Sequence, residues 1–463
     1  MSFKCIWQPV LGLLVFFTGP VFAQMQAKID LRERVDSGRV IRTAGAMTAE
    51  GNYLLDPTAD PKSLTRPEEL KPESLKVQVT ARMVVQDRWK LSDAAADASS
   101  NVLMAQRFVE LAEVSMGGQI RPAKTALAAN RKRFLVDLQD EMVRQASLDG
   151  PVSRQDLETI TMPCDGTTLW TLLPREPVAA GDSYRLDKLA AKSISLFDLI
   201  SVNELEGTID KIDATSVTIK IKGSVRGAVL GAEGKMNVEG QFTFNRENGF
   251  VDFLRLERDE SRRPGSVEAG LDIHSTLEIR RSILDQIPQQ LSEKELESWP
   301  RAITPALLKL VWQEPSGLFS LEHDRDWHTT WTDVQESVIK RVDRGGVVIA
   351  QCNLKKGNTV QKGHHQDPVQ FREDVQAGLK ERFRKFFGEG TLDRPAESGF
   401  GYKLAAEGVI QDLPVAWYYY LMASPEGDQY LMTVTSTLAE FQSGNKESLQ
   451  FVESLRWLPK SVK

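Results

Sequence analysis

Ser216-Val217-Thr218-Ile219-Lys220-Ile221-Lys222 alternates apolar and polar side chains without a break. Successive side chains of an extended chain point to opposite faces, so this stretch reads as a strand with one buried and one wet face. Its surroundings repeat the signal, with strand candidates at 207–213, 234–245, 250–260 and 274–280. Val238, Phe242 and Phe244 sit in one of these, bounded by Gly234 and a turn at 245–249. Together they predict a twisted antiparallel meander. Glycines 223, 227, 231 and 234 are expected to fall between two strands and to permit sharp bends. No lysine-serine pair and no strand-loop-helix context follows them, so this is not a phosphate-binding loop.

Toward the N-terminus, 76–85 alternates in the same way, and further strands are expected at 39–43, 106–115, 118–125 and 133–140. Pro57, Pro61, Pro67 and Pro72 mark an irregular excursion, and alanine-rich 93–101 reads as a loop with a helical turn. Ser153 followed three residues later by Asp156 predicts a short capped helix. Toward the C-terminus, Pro288, Pro300, Pro305 and Pro315 punctuate a charged, mostly helical connector. Beyond it come strands at 317–322 and 347–354, with Asp326-Trp327 delivering a tryptophan into the core. Phe371, Val375, Leu379, Phe383 and Phe387 recur every four residues, which predicts one helical stripe ended by Gly388. Long strands at 408–423 and 429–438 then flank the turn 424–428, before a closing helix with Leu449, Val452 and Leu455.

The first residues carry Lys4, an apolar run from Val10 to Phe22, a break at Gly19-Pro20, and Val21-Phe22-Ala23 before Gln24. This is the pattern of a cleavable secretory signal cut between Ala23 and Gln24. The run of about 13 residues is short of the ~20 that span a bilayer, and no cysteine follows the cut to carry a lipid. The expectation is a periplasmic or secreted protein of about 440 residues with no transmembrane anchor after cleavage. With 58 basic and 64 acidic side chains the surface lacks the excess positive charge that nucleic acid binding needs. Cys5 lies in the signal, and Cys164 and Cys352 read as buried free thiols in preference to one disulfide.

Candidate chemistry is sparse. In His323-Asp324-Arg325-Asp326-Trp327-His328, the ligands His323, Asp326 and His328 suit a divalent ion, but Arg325 opposes it, and a solvated turn leading to Trp327 is the preferred reading. His364-His365 with Asp367 falls in a loop expected to be disordered over 355–367. H-E-x-x-H, G-x-S-x-G and P-loop patterns are all missing, no catalytic residue is assigned, and no cofactor is expected. Trp417-Tyr418-Tyr419-Tyr420 places two aromatics on each face of a strand, one face under a helix and the other either packed or an exposed contact patch.

Residues 316–459 resemble the PsbP and Mog1-like family of α/β/α sandwiches, on Gly317-Leu318-Phe319-Ser320-Leu321, Asp326-Trp327, the 371–387 segment, Ala416-Trp417-Tyr418-Tyr419-Tyr420, and Phe451-Val452-Glu453-Ser454-Leu455. The resemblance implies accessory or assembly roles without catalysis, and carries over no catalytic residue. Residues 25–282 look like the half-barrel of LolA and LppX-type lipoprotein carriers, through the meander with glycine-rich bends; that implies a concave face able to hold acyl chains or to be filled by the protein's own side chains.

The expected fold class is α+β: signal peptide 1–23, an antiparallel β-rich half-barrel-like domain 24–284, a helical linker 285–315, and an α/β/α sandwich with an antiparallel sheet at 316–463. The expected function is an exported, non-enzymatic binding or accessory protein with an unknown protein or lipophilic partner. The alternative is a metal-dependent envelope hydrolase near His323 and His328.

Overall fold

A computed structural model describes residues 28–34, 38–55, 73–91, 103–442 and 447–459. The signal pattern, the cleavage point Ala23/Gln24, the four prolines of 57–72 and the segment 93–101 lie outside the described residues.

Antiparallel strands dominate the molecule, and none of its sheets closes into a barrel. The largest sheet is built from β1 (Val40–Leu55), β2 (Glu73–Leu91), β3 (Leu103–Gly118), β4 (Ala123–Ala126), β5 (Arg133–Gln139), β6 (Met142–Ser147), β7 (Ser183–Arg185), β8 (Leu199–Asn203), β9 (Glu206–Ile212), β10 (Ser216–Val229), β11 (Ala232–Asn245), β12 (Phe250–Arg262) and β13 (Gly270–Ile283). Its order is β6-β5-β3-β2-β1-β13-β12-β11-β10-β9-β7, with β4 on β3 and β8 on β10. Consecutive strands are mostly neighbours, and β1 pairing β13 joins the two meanders into one surface. Short helices α1 (Arg154–Thr159) and α2 (Lys188–Ser195) lie in the segment between β6 and β8. Ser153 caps α1 as expected: its side chain accepts from Asp156 N, and the Asp156 carboxylate accepts from Ser153 N.

Several strands are longer than the alternation alone indicates. β1 runs to Leu55, although Gly45 and Gly51 weaken its strand signal. The glycines at 223, 227 and 234 lie within β10 and β11, and only Gly231 sits in the hairpin tip. The correction has a steric cause. A Cβ on Gly223 would stand 2.2 Å from the Glu204 carbonyl oxygen, one on Gly227 2.1 Å from that of Leu199, and one on Gly234 3.0 Å from the Phe197 ring. These glycines let residues 197–204, whose strand β8 pairs with β10, approach the β10–β11 backbone closely, a use distinct from bending.

The connector between the sheets holds the single-turn helix α3 (Glu293–Leu296) and two 3-10 turns. Its Leu291, Trp299 and Ile303 pack on Val40, Met104, Leu135 and Ala146, which covers part of one face of the large sheet. A small sheet follows, formed by β14 (Leu310–Gln313), β15 (Phe319–His323) and the terminal strand Arg456–Trp457. A seven-stranded sheet comprises β16 (Trp327–Thr332), β17 (Glu336–Val342), β18 (Val348–Lys356), β19 (Phe383–Thr391), β20 (Phe400–Ile410), β21 (Leu413–Ala423) and β22 (Gln429–Thr437), in the order β16-β17-β18-β22-β21-β20-β19. One of its faces carries α4 (Pro368–Leu379) through Phe371, Val375 and Leu379. The other packs on Phe319 and Leu321 and on Phe451 and Val452 of the last helix, Glu447–Ser454, which follows the short helix Leu438–Gln442.

Two expectations fail here. The 371–387 stripe is helical only to Leu379; Lys380 takes φ +51, and Phe383 and Phe387 belong to edge strand β19. A pattern of period four over about four and a half turns cannot show that the second half pairs with β20 instead. The 408–423 segment is likewise two strands, because Gln411 and Asp412 adopt φ +48 and +66 and reverse the chain between Ile410 and Leu413. That is a hairpin turn built without glycine, so the usual signal is missing.

Candidate functional site

Odd-numbered residues of β1 point to one face of the large sheet, and there they meet the protein's own residues 152–197. A Cβ on Gly45 would stand 2.3 Å from Met162 Sδ, and one on Gly166 2.7 Å from Thr43 Oγ1. Ile160, Leu169, Leu172, Ala190 and Ile194 share one buried core with Ile219, Phe242 and Leu256 of the sheet. The segment covers this part of the sheet face with side chains.

A charged network lies in that core. Arg107 on β3 is fully buried. Its Nε and Nη2 donate to Asp87 at 2.7 and 2.8 Å, its Nη1 and Nη2 to Asp165 at 2.7 and 2.8 Å, and Nη1 also to Gln145 Oε1 at 3.2 Å. All five guanidinium N–H groups are therefore committed, and none is left for a substrate. Gln145 Nε2 donates to the Ile160 carbonyl at 3.0 Å, and Asp165 also accepts from the Thr167 amide and hydroxyl. Burial raises both carboxyls; for Asp87 it prevails, whereas Arg107 and Thr167 together hold Asp165 below the usual range. The network ties β2, β3 and β6 to the filling segment. Sequence reading missed it, although Asp87 falls in phase with Val85 on the apolar face of β2.

Neither cysteine is poised as a nucleophile. Cys164 and Cys352 are free and buried, and burial pushes the Cys164 thiol up to about 12 and that of Cys352 higher still.

The stretch His323–His328 lies where the large sheet meets the C-terminal sheets. Arg154 of α1 donates to the backbone carbonyls of Arg325 and Trp327, and Arg325 reaches back to those of Leu308 and Gln145. His323 and His328 are 6% and 9% exposed, and Trp327 is in the core as expected. His323 Nδ1 lies 2.7 Å from the Asp324 carbonyl oxygen, and the buried Nε2 of His328 has no hydrogen-bond partner among the described residues. Asp326 accepts from Arg341 Nε at 2.7 Å. Burial, helped by the Arg154 charge, depresses His323 to about 4; burial, Arg154 and His323 depress His328 to about 3. The solvated turn of the sequence reading is thus a desolvated junction. Among the described residues, no three His, Cys, Asp or Glu side chains gather as a metal site requires.

The 355–367 loop, expected to be disordered, is pinned by Gly357 N to Gln429 O at 2.8 Å and Val360 N to Gly427 O at 2.9 Å. His365 stacks on Phe400 with ring centroids 3.4 Å apart. Of the aromatic quartet, Trp417 and Tyr420 are buried and Tyr418 and Tyr419 half-buried. Tyr418 carries Lys403 Nζ 4.7 Å from its ring centroid and faces Phe387, which is 38% exposed.

Two glycines stand back to back at the same junction, Gly231 at the β10–β11 tip and Gly346 at the β17–β18 tip. Both have φ near +80, and a Cβ on Gly346 would lie 2.1 Å from the Leu230 carbonyl oxygen. Gly346→Ala is expected to destabilise the protein by about 1–3 kcal/mol through strain and the forced separation of the hairpins. Chemical denaturation checks this; an unchanged midpoint would show that the hairpins do not rest on one another.

Two open pockets lie on the surface of the described residues. One of about 480 Å³ runs beside edge strand β7 and contains Lys28, Arg175 and Arg185. The other, about 380 Å³, opens between the connector and the ends of β2 and β3. Among the described residues, no helix is long and apolar enough to cross a membrane.

No family model and no curated protein matches this chain. Among solved structures, similarity is found to Mog1p, a Ran-binding protein of Saccharomyces cerevisiae, at 10% identity and TM-score 0.26 over 32% of this chain and 94% of that one. A protein of Bacteroides thetaiotaomicron matches at 9% identity and TM-score 0.25, over 33% of this chain and 50% of that one. Lipovitellin, from a structure describing lipid-protein interactions, matches at 8% identity and TM-score 0.31 over 56% of this chain and 27% of that one. Likenesses at these scores carry no functional argument.

Proposed function

We propose that this chain is an exported, non-enzymatic binding or accessory protein that works in the cell envelope through protein contacts. In this reading a half-barrel-like β domain and a C-terminal sandwich form one binding scaffold. The observation that carries it is the packing of residues 152–197 onto one face of the large sheet: the face on which a half-barrel acyl-chain carrier would hold its cargo is taken by Ile160, Leu169, Ile194 and their neighbours. The groups best suited to chemistry support it as well. Arg107 is saturated, the thiols are sealed and protonated, and the junction histidines are neutral and desolvated.

Expression in a Gram-negative host, followed by fractionation and intact-mass measurement, tests this reading. The expected result is a periplasmic or secreted polypeptide beginning at Gln24, with no stoichiometric lipid or transition metal. Co-purifying lipid would restore the carrier reading. Stoichiometric zinc lost on His323→Ala would favour the hydrolase. An intact Met1–Ala23 on a cytoplasmic product would overturn export.

A further inference from the structure

Strand β7 closes one end of the large sheet and pairs only with β9. Ile209 N donates to the Asp182 carbonyl at 2.9 Å, and Leu186 N donates to that of Leu205 at 3.1 Å. In an antiparallel ladder the backbone groups of alternate residues face the neighbouring strand, and those between them face away. With Asp182 and Leu186 turned to β9, Ser183 and Arg185 turn their N–H and C=O groups to the free side. These two donors and two acceptors have no partner among the described residues, and both residues are exposed.

A groove lies along this strand, the open pocket of about 480 Å³ lined by β7 and by residues 173–178. Pro174 and Pro177 on its far wall have no N–H to offer, so that wall is a poor substitute for a paired strand. Contacts fix the wall relative to β7: the Tyr184 hydroxyl donates to the Leu172 carbonyl at 2.6 Å, and Arg175 donates to Asp187 at 2.6 Å. Lys28, whose neighbour Ile29 bridges to Val178, lies 3.8 Å from Asp182. These pairings leave Arg185 and, on the far wall, Glu176 without an ion-pair partner among the described residues. One acidic side chain directly opposite Arg185 is favoured, and a second beside Glu176 is opposed. An edge of three residues is too short to template open-ended sheet growth, yet its four free groups can accept one added strand.

We propose that β7 takes up an extended segment of a partner protein as an added antiparallel strand, bonded to the backbone of Ser183 and Arg185 and carrying an acidic side chain opposite Arg185. This rests on the reading of the chain as a protein that works through protein contacts, and it names the form of one such contact.

Saturation-transfer NMR titration of the purified full chain with the capped pentapeptide Thr-Val-Glu-Val-Thr tests it. The expected dissociation constant is about 1 mM or tighter, which a few exposed hydrogen bonds can supply. The counterpart Thr-Val-Lys-Val-Thr is expected to bind about threefold or more weakly, and a peptide N-methylated at its glutamate is expected not to bind. Arg185→Glu, on an exposed side chain, is expected to reverse the preference between the two charged peptides. Ser183→Pro removes an N–H that faces away from β9, a change edge strands tolerate; it is expected to weaken the glutamate peptide about fivefold or more and to keep the urea midpoint. No binding at about 10 mM, equal binding of the N-methylated peptide, or a preference unchanged in Arg185→Glu would each overturn the proposal. A dimer of the peptide-free chain that Ser183→Pro dissociates would also overturn it, by showing that a second copy holds the edge. Failure of the peptides leaves the accessory reading standing on another surface, whereas co-purifying lipid or stoichiometric metal removes that reading whatever the peptides do.

Discussion

Replacing Arg107 with methionine is expected to cost about 3–5 kcal/mol of folding stability, enough to unfold much of the protein at moderate temperature. The substitution keeps an unbranched apolar stem but is shorter and removes the charge, leaving Asp87 and Asp165 buried without a counter-ion. The low polarity that makes the five bonds of Arg107 effective makes the orphaned carboxylates expensive. One or both would take up a proton, and the link from β2 and β3 to the Thr167 turn would be lost. Urea denaturation monitored by tryptophan fluorescence reads the loss. The triple variant Arg107→Met with Asp87→Asn and Asp165→Asn is expected to recover part of it, because neutral amides need no counter-charge. A loss below about 1 kcal/mol in the single variant would mean that water reaches the network.

Acid is expected to destabilise the protein through His323 and His328. Their folded-state proton affinities lie below that of an unfolded histidine, at about 4 and about 3 against 6.5. The unfolded chain therefore binds the proton first. The stabilisation is fully present above pH 6.5 and is lost as pH falls, until about 4 for His323 and about 3 for His328. Within that window each histidine removes up to ~1.4 kcal/mol per pH unit. Carboxyls raised by burial, Asp87 and Glu33 among them, act in the opposite sense, so the histidine contribution is read as a difference between proteins. His323→Gln and His328→Gln are each expected to show a flatter decline between pH 6.5 and 4.5 than the unmodified chain, by about 2–3 kcal/mol over the interval. Denaturation curves that stay parallel across this range would show that water hydrates the junction.

The junction and the network differ in how far a sequence can announce them. Trp327 in the core is legible from an apolar residue opening a strand, and the Ser153 cap from a spacing of three. His323 and His328 are visible as residue types, but their desolvation is not. It arises because Arg154, more than 150 positions away, lies over the carbonyls of Arg325 and Trp327. Likewise, Gln411-Asp412 reverses the chain at positive φ without the glycine that usually marks such a turn, and Phe383 continues a helical spacing while pairing as a strand. In each case a neighbour distant in sequence overrides a local preference that is worth less than the contacts it makes.

By itself the sequence determined what is local and periodic: two-residue alternation that makes an antiparallel sheet, prolines that break the chain between sheets, and the capped turn at Ser153. An extended backbone imposes that period whatever the partner, so composition along a few residues suffices. Only the tertiary structure decided whether the large sheet's inner face was left open or covered by the chain's own residues 152–197, and which charges share the core. Asp87 and Arg107 are 20 positions apart and Arg107 and Asp165 58, and they meet only because strand register and the return of residues 152–197 bring them together. Register is a relation between strands, and no single strand contains it.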